Sequence, residues 1–376
     1  MNSLDIFGHH MHGETSSYGI LKDEKNYKNI NNYLETLKKE DRPIQGINHV
    51  IDYVKLREAV PKEFNLIFND TPHLCKERKL NDIIYNDIKK KGGFYREFPK
   101  HIYFEIDGKK AVVINSSEVT VKNKDKGFSE FTVTGLKQGY QDYNSITLDE
   151  LIDLSKEAEI TSPSHPYMPL LSTEEETLYD FLDNVKKEED INGALNYSTG
   201  YFSLLNKISR GDFHAKLGSL EKIINNDFFP KKLKDSISRK KDVVSLAREY
   251  NLPLLPEVDS HAFIPNRLEG FGVLKSSVME DFEKGDFPTK KLFDSEIICY
   301  KNKEGISFKD FTKTFSDIYP GWNYEKGPFK KLREKLNRKF LNYSYNDYKE
   351  VFEESLNSLN EMDIDEVINN TYNPLS

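Results

Sequence analysis

Five strand-like runs in this chain each lead into a side chain that binds metals or moves protons. LDIF leads into His10 and His12, RPIQGIN into His49, KAVVINSS into Glu118, EITSPS into His165, and LLPEV into Asp259 and His261. Helix signals lie between the runs. Thr147 and Glu150 form a capping box ahead of LDELIDLSKEAE, and three glutamates after Thr173 suit the positive end of a helix dipole. The segment DIIYNDIKKKGG carries lysines before Gly92, and SRKKDVVSLAREYNLP stops at Asn251 and Pro253. Strand, helix and strand in succession predict an α/β fold with mostly parallel pairing and helices covering the sheet. In such folds functional groups gather at the carboxyl ends of the strands, where these imidazoles and acids fall.

The 376 residues suffice for one large core or two modest ones. Residues 1–285 show no internal repeat or linker and read as one domain, with 286–376 as a mainly helical C-terminal extension. Cys75 and Cys299 lie far apart and form no thiolate pair, so any metal is held by nitrogen and oxygen. The amino terminus lacks a basic flank and an apolar core, and no run is long enough to cross a bilayer; a cytoplasmic protein without membrane contact is expected. A net charge of −8 argues against a surface built to wrap a polyanion. One local exception is KGPFKKLREKLNRKF, residues 326–340, with seven basic residues among fifteen and Phe329, Leu332, Leu336 and Phe340 at helical spacing. It reads as an amphipathic helix, either a solvated face packed on the main domain or a contact for nucleic acid or another phosphate-rich partner.

On a regular strand alternate residues face the same way. His10 and His12 are therefore expected to converge, with His9 and Met11 on the other face, and Asp259 and His261 repeat the pattern. With Glu118, His49 and His165 this gives seven nitrogen and oxygen donors, too many for one tetrahedral ion and suited to two or three ions bridged by a carboxylate. His73 and His101 sit in no such context and read as surface or core residues. His214, in RGDFH, is a further candidate ligand.

The ordered set His10-Met-His12, Asn48-His49, Glu118-Val119, His165-Pro166 and Asp259-Ser-His261 resembles the PHP, or polymerase and histidinol phosphatase, domain of metal-dependent phosphoesterases. The resemblance implies a distorted (β/α) barrel with its metal site at the C-terminal ends of the strands. It assigns His10, His12, Glu118 and Asp259 to one ion, Glu118 and His165 to a second, and His49 and His261 to a third. The chain departs from the family at Gly8, where an acidic residue is usual, and at Ile47-Asn48, where the family has threonine and aspartate. A further family histidine after INGALNYSTGY is missing, the nearest being His214, and the loop after His12 reads GETSSYG, without the family's third-ion histidine and with Glu14 as the candidate in its place. These departures favour two ions over three.

The expected chemistry is hydrolysis of a phosphoester in a small metabolite, a nucleotide or a nucleic-acid end. Divalent zinc, manganese or iron would lower the pKa of bound water toward ~7 and neutralise charge growing on the phosphoryl oxygens. Asp259 or His261 would shuttle the proton, since a bridging Glu118 is a poor base. Arg210 and Arg267 offer forked donors to phosphate. One alternative is an amidohydrolase-type enzyme, which also begins with H-x-H but uses a bridging lysine and a lone terminal aspartate. Another is a degenerate barrel that serves as a scaffold or nucleic-acid-binding module.

Overall fold

The computed structural model describes residues 3–11, 53–71, 88–123, 128–137, 144–164, 166, 175–198, 241–260, 268, 270–298, 356–357 and 359–376. Within them thirteen strands form one mixed sheet. Its parallel centre runs β9 (Leu195–Ser198), β10 (Leu254–Ser260), β1 (Leu4–Met11), β2 (Phe64–Asp70) and β5 (Lys109–Lys122). Antiparallel strands flank this centre. β4 (His101–Ile106) pairs with the first half of β5 and carries β3 (Phe94–Glu97) outside it. The second half of β5 pairs with β6 (Phe128–Thr134), which pairs with β8 (Ile160–Pro163), while β7 (Asn144–Ile146) lies parallel to β5. On the other flank β11 (Gly272–Leu274) joins β1, followed by β12 (Ser295–Ile298) and β13 (Thr371–Tyr372), so chain beyond Gly285 adds two strands to the same sheet.

The expected distorted (β/α) barrel with mostly parallel pairing does not form: among the described residues the sheet is mixed and is not closed into a barrel. Seven of the twelve strand pairings are antiparallel. Among the described residues no ladder joins β8 to β9; Thr161 of β8 bridges to Gly193, just before β9, with two backbone bonds of 3.0 Å. β8 is four residues long and ends at Pro163, which has no N–H to extend a ladder. Hairpins replace several of the expected crossovers. β4 and β5 join through Asp107-Gly108, both at positive φ, the two-residue turn that matches strand twist.

β1 and β2 are buried on both faces, as strands covered on each side must be. Ile6, Leu66, Phe68 and Val113 pack outward with Leu56 of helix α1 (Tyr53–Ala59). Phe7, Ile67 and Ile114 pack the other way, with Ile160, Ala194 and Leu255 and with Phe282 of α2 (Met279–Lys284). Those six residues lie on strands, or for Ala194 just before one, that are not all neighbours, so the sheet must curl about them. A third core sets Val119, Val121, Phe131 and Val133 against α3 (Leu148–Glu157), α4 (Glu175–Lys187) and α5 (Lys241–Tyr250). The predicted capping box opens α3, with the Thr147 side chain accepting from the Glu150 N–H and the Glu150 carboxylate accepting from the Thr147 N–H. α5 ends at Tyr250, just before Asn251 at φ 53.

Candidate functional site

Six strands carry the same step along their concave faces. Two residues beyond Phe7, Ile67, Ile114, Ile160, Ala194 and Leu255 stand His9, Asn69, Ser116, Ser162, Asn196 and Glu257. Period-two alternation turns both members of each pair inward, so an apolar layer is overlaid by a polar one, and every member of both is buried. Buried polar groups need partners, and these find one another. Two residues further along come Glu118 on β5, Ser164 after β8 and Asp259 on β10. β5 runs on to Lys122, so Glu118 lies inside a strand, where the sequence reading had put a strand end.

β1 departs from regular alternation at this level. His10 has φ 59, a left-handed conformation that costs a residue with a side chain about 1–2 kcal/mol. The registers slip beside it: Gly8 and Met11 face Phe68 and Asp70 of β2, while His9 and Met11 face Glu257 and Ser260 of β10. This is a β-bulge, and such bulges re-aim side chains. Here consecutive imidazoles both enter the concave side, so His9 does not face away as alternation predicted.

His10 is fully buried between two glutamates. Its Nδ1–H donates to Glu257 Oε1 at 2.7 Å, and its Nε2 lies 3.2 Å from Glu118 Oε2. Asn196 Nδ2 donates to the same Glu257 oxygen at 3.1 Å, which holds the carboxylate in place. With the proton on Nδ1 directed at Glu257, the Nε2 side of the ring faces a Glu118 carboxylate oxygen. Positive charge at that contact, from a proton on Nε2 or a metal ion, makes it favourable. Glu257 was not among the expected residues. Its signal was an acid two positions before Asp259 in the same strand-like run.

His9 is held separately. Asn69 Nδ2 can only donate, so its 2.8 Å contact makes His9 Nδ1 the acceptor and leaves the proton on Nε2, which donates to Ser162 Oγ at 3.2 Å. Asn69 also donates to Thr134 Oγ1 at 2.7 Å and accepts from Ser116 Oγ. Burial, then the neighbouring His10, push the His9 pKa down to about 3 against smaller raising effects of Glu257 and Asn196, so the ring is neutral. A Nε2–H donor is the wrong tautomer to activate Ser162 as a nucleophile.

No family model matches the chain, and neither a curated protein nor a solved structure does. Among the described residues no group of three or more histidine, cysteine, aspartate or glutamate side chains is placed to hold a metal ion. Of the expected site residues, His10 and Glu118 are brought together. Asp259 lies near the end of β10, with its side chain outside the described groups. His12, His49, His165, His214, His261, Arg210 and Arg267 lie outside the described residues, as do Glu14 and the basic segment 326–340. Among the described residues no helix is long and apolar enough to cross a membrane.

Two further positions answer sequence expectations. A Cβ on Gly8 would lie 2.5 Å from Phe271 Cε1 and closer still to Met11 Sδ, so core fills the space that a side chain at this position would need. His101 is a core residue, as expected. Its Nε2 bonds the Phe282 carbonyl at 2.9 Å, its ring packs against Phe98 and Phe282, and burial lowers its pKa.

Proposed function

We propose that the chain is a metal-dependent hydrolase of phosphoesters, acting on a phosphorylated substrate in a cytoplasmic setting. The observation that carries this reading is His10, oriented by Glu257 through Nδ1 and presenting Nε2 to Glu118 at 3.2 Å. A carboxylate on the far nitrogen of a histidine is the usual outer support of a metal ligand, because it fixes the tautomer and raises the basicity of the ligating nitrogen. The separation also suits the role, since adjacent donors around an ion with bonds of about 2.0–2.2 Å stand roughly 3 to 3.5 Å apart. Imidazole and carboxylate fit zinc, manganese or iron.

His10 and Glu118 would hold such an ion, with Asp259, His12, His49, His165, His214 and His261 as the remaining candidate ligands. When bound, a divalent ion supplies Lewis acidity toward a phosphoryl oxygen and activation of water. The chain's own residues do the rest. Glu257 and Asn196 orient His10, and the apolar layer beneath excludes water from the floor of the site, which strengthens every charge interaction there. The adjacent assignments of Asp259 and His261 to proton transfer and of Arg210 and Arg267 to phosphate belong to the same proposal.

The test is release of phosphate from a generic phosphoester by the full chain with manganese or zinc, beside amide and lactone substrates. The proposal expects metal-dependent phosphoester cleavage that His10→Ala and Glu118→Gln abolish while the variants still unfold cooperatively. Cleavage of the amide or lactone alone points to the amidohydrolase alternative, and activity that persists in both variants refutes the site.

A further inference from the structure

We propose that His9 is a positioning residue: anchored through both ring nitrogens, it locks the β1 bulge that turns His10 onto Glu118 and Glu257. Its consequence for metal binding rests on the functional reading above, whereas its geometry does not.

A regular strand would send His9 and His10 to opposite faces. Here both rings lie on the concave side because His10 adopts φ 59, a backbone state that persists only where its surroundings over-determine it. The residues on either side supply that hold. After His10, the Met11 carbonyl accepts from both the N–H and the Oγ1–H of Thr71, at 2.7 and 3.0 Å. Before it, the His9 ring is fixed by Asn69 of β2 and Ser162 of β8, and Asn69 is fixed in turn by Ser116 of β5 and Thr134 of β6. Four strands besides its own therefore determine where one imidazole sits. His10 is suspended between two clamped neighbours, and its ring reaches Glu257 and Glu118 as a result.

The anchoring demands one tautomer of His9, protonated at Nε2, and this makes the role chemical rather than a matter of volume. Phenylalanine fills much of the same space and makes neither bond. Asparagine places an acceptor near the position of Nδ1 and so retains the Asn69 contact alone.

The experiment is 15N NMR of histidine-labelled full chain together with titration by Mn2+. Wild-type His9 is expected to carry its proton on Nε2, and the His10 Nδ1–H to exchange slowly with water. His9→Phe should remove that protection and weaken Mn2+ binding by about 10- to 100-fold, the usual effect of losing an outer support, and His9→Asn should restore part of both. A wild-type His9 protonated on Nδ1 overturns the proposal, as does a His9→Phe protein with wild-type exchange at His10 and wild-type Mn2+ affinity. If His9→Phe does not fold, Ser162→Ala trims a single anchor, and unchanged exchange at His10 in that variant overturns the proposal equally. A wild-type chain that takes up no manganese sinks the metal reading, while the tautomer and exchange data still decide the role of His9.

Discussion

Asp5 roots the strand that carries both histidines, and removing its carboxylate should be costly. It is 2 % exposed and lies 273 positions before the helix that it caps. Oδ2 accepts from the N–H of Val278 at 2.7 Å, the N–H of Met279 at 3.3 Å and the hydroxyl of Ser277 at 3.1 Å; Oδ1 accepts from Asn65 Nδ2 at 2.7 Å. Helix α2 has no side-chain cap of its own at Val278, so Asp5 serves in that place. In Asp5→Ala two buried backbone donors lose their acceptor at about 1–3 kcal/mol each, offset in part because a carboxylate no longer has to be desolvated. The net expectation is a loss of about 3 kcal/mol, against about 1 kcal/mol for Asp5→Asn, which keeps a neutral acceptor. Urea unfolding monitored by circular dichroism measures both. Mn2+ affinity of the folded fraction should stay at the wild-type level, because Asp5 lies at the opposite end of β1 from His10. An Asp5→Ala protein as stable as Asp5→Asn would refute the capping argument.

Glu257→Gln keeps the shape and an acceptor for His10 but removes the charge, and isothermal titration should show Mn2+ binding weakened about 10- to 100-fold; wild-type affinity would separate Glu257 from the site. His9, at about 3, and His101 both have folded-state pKa values below the unfolded value of about 6.5, so each takes up a proton on unfolding in acid. Stability should be flat above that value and fall as pH drops below it, by up to about 1.4 kcal/mol per unit for each ring. His101→Phe should flatten the slope of urea-derived stability against pH by one proton's share, and an unchanged slope would contradict the assignment. Gly8→Asp should cost about 3 kcal/mol or more, because its Cβ meets Phe271 and Met11 and a carboxylate would be buried among them. Thermal melting that leaves this variant within about 1 kcal/mol of wild type would show the core yielding there.

His10 and Glu118 were legible because each is a metal-binding group that follows a strand-like run, and the structure places them 3.2 Å apart. Glu257 was hidden inside LLPEV, where one acid among apolar neighbours read as part of a strand leading to Asp259. The repeated step from an apolar to a polar inward residue, as in Ile67 to Asn69 and Ala194 to Asn196, is present in the sequence. Yet asparagine and serine on separate strands carry no chemistry until the strands meet. His9 was turned the wrong way because the bulge sits on histidine, with no glycine to announce a left-handed residue. The Asp107-Gly108 hairpin was a readable signal, and it marks where antiparallel pairing replaces the expected parallel crossover. The 14-residue β5 was harder, since one strand serves two different sets of neighbours along its two halves. Pairing partners are set by tertiary packing and not by the residues of one run. Asp5 is similar: no local pattern ties it to a helix 273 positions away.

The central claim is that His10 and Glu118 bind a divalent cation. Metal analysis of the purified full chain after incubation with manganese or zinc and removal of loose ions, run beside His10→Ala, tests it most directly. The account predicts two or three ions per wild-type chain and a loss of at least one in the variant. Wild-type protein that retains no divalent metal, or a His10→Ala protein that retains as much as wild type, contradicts it.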